Sequence, residues 1–132
     1  MEPTAGAAAP IDAPPLAPVE AAIDLEHLAR MTLGERSLEA EVLALFDQQA
    51  EILLAHMREA APKAVAAFAH TLKGSARGIG AWRVAAAADA VEIKAASPNA
   101  GEIAGAVARL AAAVAEARVA IAERLQPHAC SG

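Results

Sequence analysis

Alanine fills 40 of the 132 positions, which leaves the chain little side-chain volume with which to build a core. Two Phe, one Trp and no Tyr are present, so aromatic bulk cannot make up the difference. Alanine is the strongest helix former and a poor filler of space. A chain of this kind is expected to form long helices whose backbones approach one another closely, rather than a sheet. Its length is that of one domain.

The pattern along the chain agrees. Residues 1–22 hold Pro3, Pro10, Pro14, Pro15 and Pro18 among Ala and Gly; proline removes amide donors and blocks helix propagation, which predicts a disordered leader. Asp24 is placed to cap a short helix running to about Met31. Thr32-Leu33-Gly34-Glu35 reads as a capping box that opens a long helix to about Glu59. The apolar face of that helix is expected to be Leu38, Val42, Leu45, Phe46, Gln49, Ile52 and Leu53. Pro62 suits the first turn of the next helix. Its stripe is Val65, Phe68, Leu72, Ala76 and Ile79, and Gly78 and Gly80 can close it in the left-handed conformation. A third long helix is predicted from about Ala81 to Ala96, with Val84, Ala88 and Val91 inside. After Ser97-Pro98-Asn99, a cap formed by Asn99 with Glu102 begins the last helix, to about Leu125. Its stripe is Ile103, Val107, Leu110, Val114, Ala117 and Ile121. The expected fold is all-α: an antiparallel up-down-up-down four-helix bundle over residues 23–126, with a short extra N-terminal helix and a flexible tail at 127–132.

His70 stands out from this pattern. At about 100° per residue it points roughly 160° away from the centre of its helix's apolar stripe. Lys63, Ala66, Ala67, Lys73, Gly74 and Arg77 share that outer face. A neutral imidazole has a free lone pair on one ring nitrogen, and its ordinary pKa is about 6.5. The Lys73 ammonium, one turn on, can pair with phosphoryl oxygens as a point charge. Gly74 lies mid-helix, where glycine costs about 1 kcal/mol relative to alanine; amid so much alanine, this suggests that a side chain there would obstruct approach to His70. The face suits a nucleophile approached closely by something anionic.

Charge and composition exclude several classes. The net charge of −5 argues against nucleic acid as a partner. Residues 62–94 nevertheless carry five cations against Asp89 and Glu92, a balance of +3, so the remainder carries −8. Cys130 alone excludes an internal disulfide and fits a reducing compartment. The N-terminus lacks the basic start of a signal peptide. Arg109, Glu116 and Arg118 interrupt the Ala-rich stretch 103–122, so no membrane span is expected. His27 and His56 lack partners at metal-ligand spacing, His128 and Cys130 fall in the tail, and the long helices lack the inward Glu and His pairs of a metal-holding bundle. No glycine-rich cradle for ATP phosphates is present. The expectation is a soluble, cytoplasmic, monomeric domain without a cofactor of its own.

Ala69-His70-Thr71-Leu72-Lys73-Gly74-Ser75-Ala76, followed by Gly80-Ala81, resembles the signature of histidine-containing phosphotransfer (HPt) domains. The resemblance extends over Ile23 to Phe46 and the Val91-Glu92 pair, and so over roughly residues 23–125. It implies that His70 carries a phosphoryl group in a multistep phosphorelay, without kinase activity of its own. The group would come from the aspartyl phosphate of one receiver domain, as in a hybrid histidine kinase, and pass to the Asp of another, in a response regulator. It implies that Lys73 helps hold the phosphoryl group, that Gly74 leaves room for it, and that the receiver brings the Mg²⁺ and most catalytic groups. Glu92 falls where relatives often place a polar residue near the histidine. Lys63, Ala66, Ala67, Arg77, Gly78 and Trp82 are candidates for partner contact, with Trp82 either an exposed anchor or packed against the N-terminal helix. Ser75 reads as a packing residue. A non-phosphorylated adaptor using the same face is the competing reading.

Overall fold

The computed structural model describes residues 21–97 and 99–126. Within them lie five helices and no strand: α1 (Leu25–Met31), α2 (Arg36–Met57), α3 (Pro62–Ile79), α4 (Trp82–Ala96) and α5 (Ala100–Leu125). The first twenty residues of the expected leader and the expected tail, with His128 and Cys130, lie outside the described residues. No helix among the described residues is long and apolar enough to cross a membrane.

Local chemistry sets most of the helix ends. The Asp24 carboxylate accepts the His27 amide at 3.1 Å, and the Asn99 side chain accepts the Glu102 amide at 3.2 Å. Each satisfies a donor that the first helical turn leaves unpaired. Pro62 is the first residue of α3, where its missing N–H costs nothing. At the other end Gly80 adopts φ 79°, and the Ala81 amide donates back to the Ala76 carbonyl at 2.8 Å. Glycine is required there twice over, since a Cβ would also lie 2.9 Å from the Asp24 carbonyl oxygen.

Three expectations need correction. Thr32 to Glu35 is not a capping box: the Thr32 hydroxyl is turned back to donate to the Leu28 carbonyl at 2.8 Å, and Glu35 caps α2 without a side-chain bond. Leu33 and Gly34 both take positive φ, so the segment ends α1 rather than starting α2 by side-chain capping. Gly78 lies inside α3, and only Gly80 closes that helix in the left-handed conformation. The inner face of α2 is rotated by about one residue from the predicted one. Glu39, Leu43, Phe46, Ala50, Leu53, Leu54 and Met57 are buried, whereas Leu45 and Ile52 are 59% and 55% exposed. Side-chain size was misleading here, because the interior takes a small residue, Ala50, and an ion-paired one, Glu39.

The remaining stripes fall where the periodicity puts them. Val65, Leu72, Ala76 and Ile79 of α3, Val84, Ala88 and Val91 of α4, and all six predicted residues of α5 are buried, while Phe68 is partly buried against them. Ala50, Ala69, Ala76, Ala88 and Ala117 have no exposed surface at all. Alanine at such points lets helix axes come to the lower end of the usual 8–10 Å range.

The four long helices pack in a ring, α2 on α3, α3 on α4, α4 on α5 and α5 on α2. Side-chain pairs fix their register. His70 and Lys73 meet Glu92 and Asp89, Arg83 and Lys94 meet Glu116 and Glu102, and Asp47 and Glu39 meet Arg118 and Arg124. In each case an earlier residue of one helix meets a later residue of its neighbour. The buried Glu39 accepts two bonds from the Arg124 guanidinium, at 2.5 and 3.2 Å, which tie the start of α2 to the end of α5. That hydrogen bonding holds the Glu39 carboxyl below its ordinary pKa despite burial.

Candidate functional site

Two helices build the site. α3 presents His70 and Lys73 on successive turns, and α4 brings Asp89 and Glu92 to the same level from across the helix pair. The His70 side chain is 69% exposed. Its Nδ1 lies 3.0 Å from Glu92 Oε2. The other Glu92 oxygen, Oε1, is buried without an aligned hydrogen bond and faces the Lys73 ammonium 2.8 Å away as an ion pair. Lys73 Nζ also donates to Asp89 Oδ1 at 3.0 Å. Only 13% of the Lys73 side chain is exposed, so this lysine is tethered between two carboxylates and is not the mobile outer charge that the helical face suggested.

Lys73 and Glu92 hold each other in their charged forms. Lys73, and after it His70, holds the Glu92 carboxyl below the usual range. Glu92, and after it Asp89, raises the Lys73 ammonium above its ordinary value. An ionised carboxylate can only accept hydrogen bonds, so Nδ1 carries the proton in this contact. In the neutral ring the lone pair then belongs to Nε2. One carboxylate thus orients the imidazole and fixes its tautomer, the arrangement by which a hydrogen bond at one ring nitrogen sets the role of the other.

The rest of the outer face is small or cationic. Lys63, Ala67, Gly74 and Arg77 are exposed, while Ala66 and Gly78 are half-buried. A Cβ at Gly74 would meet nothing within 4 Å, and the same holds at Gly78. Nothing within the fold therefore demands glycine at position 74. Ser75 faces away from this cluster, beside Val42, Phe46 and Ile79 at the α2–α3 boundary.

Trp82 belongs elsewhere. It opens α4, ten residues and about 15 Å of helix before Glu92. Its indole N–H donates to Asp24 Oδ2 at 2.9 Å, and its ring lies against His27 with centroids 4.8 Å apart. Packing against the N-terminal helix, one of the two roles foreseen for it, is thus present, while 39% of the residue stays exposed. His27 in turn bonds the Arg77 carbonyl through Nε2 at 3.0 Å, a second bond to an oxygen that also accepts the Gly80 amide at 3.3 Å, and so ties α1 to the last turn of α3. His56 packs its ring on Phe68. Among the described residues no group of three or more His, Cys, Asp or Glu is arranged to hold a metal ion.

Asp89 is the member of the cluster that sequence reasoning missed. It entered there only as a charge.

Comparison with known proteins bears on the whole arrangement. A protein-family model described as "Hpt domain" matches residues 41–120, which include His70, Lys73, Gly74, Asp89 and Glu92. No curated protein and no solved structure matches the chain.

Proposed function

Because this chain belongs to the Hpt domain family, and so to the phosphotransfer modules of phosphorelay signalling, we propose that His70 accepts a phosphoryl group from the aspartyl phosphate of one receiver domain and hands it to the aspartate of another. The observation that carries this reading is a His70 side chain 69% exposed whose Nδ1 is held by Glu92 at 3.0 Å, which leaves Nε2 to carry the lone pair. In the forward step the Nε2 lone pair forms the N–P bond while the bond from phosphorus to the aspartyl oxygen breaks. The electron pair leaves with that carboxylate. Nδ1 keeps its proton, so the phosphorylated ring gains positive charge, which the adjoining Glu92 carboxylate offsets. The return step reverses each change. Phosphoryl transfer depends chiefly on such positioning and charge neutralisation.

Lys73 is the group we assign to the phosphoryl oxygens, one turn from His70. Gly74 is assigned to access, and the reading is supported by the absence of any atom within 4 Å that would explain a glycine there. Lys63, Ala66, Ala67, Arg77 and Gly78 would lie under the docked receiver. Trp82 is assigned a structural role instead, given its bonds to α1. In this reading the receivers of a hybrid histidine kinase and of a response regulator are the partners, and they bring the Mg²⁺. The domain itself is a phosphoryl carrier over residues 23–126, monomeric and cytoplasmic. Its long helices run up-down-up-down, as the reversed residue order of the cross-helix pairs supports.

The test is transfer itself. The protein, mixed with Mg²⁺ and a panel of receiver domains that already carry a radiolabelled aspartyl phosphate, should acquire acid-labile, alkali-stable label, and His70→Gln should acquire none. Label retained by His70→Gln would refute the site; binding of receivers without any label would favour the adaptor reading.

A further inference from the structure

Two carboxylates already draw on the Lys73 ammonium, so a phosphoryl group on His70 would share it with them. Its ammonium is shared between Glu92 Oε1 at 2.8 Å and Asp89 Oδ1 at 3.0 Å, in a position where only 13% of the side chain meets water. The two carboxylates are not equivalent. Glu92 is ion-paired with Lys73 and hydrogen-bonded to the His70 ring, so any change there alters the nucleophile as well. Asp89 touches Lys73 alone among the polar contacts of the site, and its own side chain is 47% exposed.

We propose that Asp89 is a positioning residue that competes with the phosphoryl group for the Lys73 ammonium, and thereby sets how firmly His70 retains its phosphate. The inference rests on the assignment of His70 as the phosphoryl acceptor. When the phosphoryl oxygens arrive they offer Lys73 a doubly charged partner, and Asp89 is the contact that yields, since Glu92 is needed at Nδ1 to offset the charge on the phosphorylated ring. Every bit of attraction that Asp89 withholds weakens the phosphorylated state relative to the free one. A carrier that must release its cargo to a second receiver is served by a lysine partly occupied elsewhere.

The experiment uses the full chain, phosphorylated directly with phosphoramidate, and reads the ³¹P chemical shift of the phosphohistidine against pH. A nearby ammonium favours the dianionic phosphoryl group and lowers its titration midpoint. Asp89→Asn, which keeps the shape of the side chain, should lower that midpoint further, by the equivalent of a roughly two- to fivefold tighter Lys73 contact, the range expected for an ion pair near a protein surface. In a Lys73→Ala background the same Asp89→Asn change should leave the midpoint where it was. Equal midpoints in the wild type and Asp89→Asn would overturn the inference, and so would a difference that persists without Lys73, which would mark a simple loss of negative charge. A ³¹P signal that survives His70→Gln, or no signal on the wild type, would instead bring down the underlying assignment of His70 and the inference with it.

Discussion

Ala117→Leu offers a direct test of whether alanine is structural here because the helices need it small. Ala117 of α5 has no exposed surface. Its neighbour Arg118 reaches Asp47 at 2.7 Å and Glu51 at 3.5 Å on α2, and these two residues bracket Ala50, which is also fully buried. Two alanines therefore sit at one level where α2 and α5 pass. Leucine adds three carbons. If a void lay there, burying them would stabilise the fold by about 2.4 kcal/mol at ~0.8 kcal/mol per methylene. If the backbones are in close approach, the added volume must displace a helix or strain a rotamer, at a cost of about 1–3 kcal/mol. The two cases differ in sign. Against a domain stability of about 5–15 kcal/mol the loss is large, and for a domain of this size it corresponds to a fall in Tm on the order of 5–20 °C. Urea unfolding followed by circular dichroism would read it, with Ala115→Leu as the control because Ala115 is exposed on the same helix. An unchanged or raised midpoint for Ala117→Leu would refute the close-approach argument.

Other consequences can be checked with the same material. The Glu39 carboxyl is held below its ordinary value by Arg124, so its contribution is present at neutral pH and is lost as pH falls through its depressed folded-state pKa; Glu39→Gln should lower stability at pH 7 and flatten the decline below about pH 4.5 in acid titrations of the unfolding free energy. Asp24→Ala removes both the α1 cap and the acceptor of the Trp82 indole, and should cost at least the usual ~1 kcal/mol of a lost cap. Hydrogen exchange should show the loss first in the amides of α1. Gly80→Ala combines a positive φ with a Cβ placed 2.9 Å from Asp24 atoms and should cost more than about 1 kcal/mol by chemical denaturation. Gly74→Gln should leave the unfolding free energy within about 1 kcal/mol of the wild type, since the space around it is open, while slowing phosphotransfer from a receiver by stopped-flow or quench methods.

Much of the fold was legible because helix caps and apolar spacing are local. Asp24, Pro62, Gly80 and Asn99 each act within a few residues, and the α5 stripe from Ile103 to Ile121 is buried without exception. The face of α2 was not legible, because exposed Leu45 and Ile52 outweigh buried Ala50 and Glu39 on any scale of side-chain hydrophobicity. Thr32 misled for a related reason: the same hydroxyl can cap a following helix or fold back onto a preceding one, and only the positive φ of Leu33 and Gly34 distinguishes the two. At the site, His70 could be singled out from its own helix alone, but its partners could not. The signal for them lay in the register of the α3–α4 hairpin. His70 with Glu92, and Lys73 with Asp89, are each symmetric about Ala81 at the turn, so a reversal placed there pairs both sets at once. That argument requires knowing that α3 and α4 are adjacent and where the turn centres, which are tertiary facts.

The claim on which the rest depends is that Nε2 of His70 is the atom that takes the phosphoryl group. It is tested most directly by preparing the protein with ¹⁵N-labelled histidine, phosphorylating it from a receiver domain and recording the ³¹P–¹⁵N coupling. The arrangement of Glu92 on Nδ1 predicts a one-bond coupling to Nε2 of His70 and to no other ring nitrogen. Coupling to Nδ1, or to His27 or His56, would contradict it.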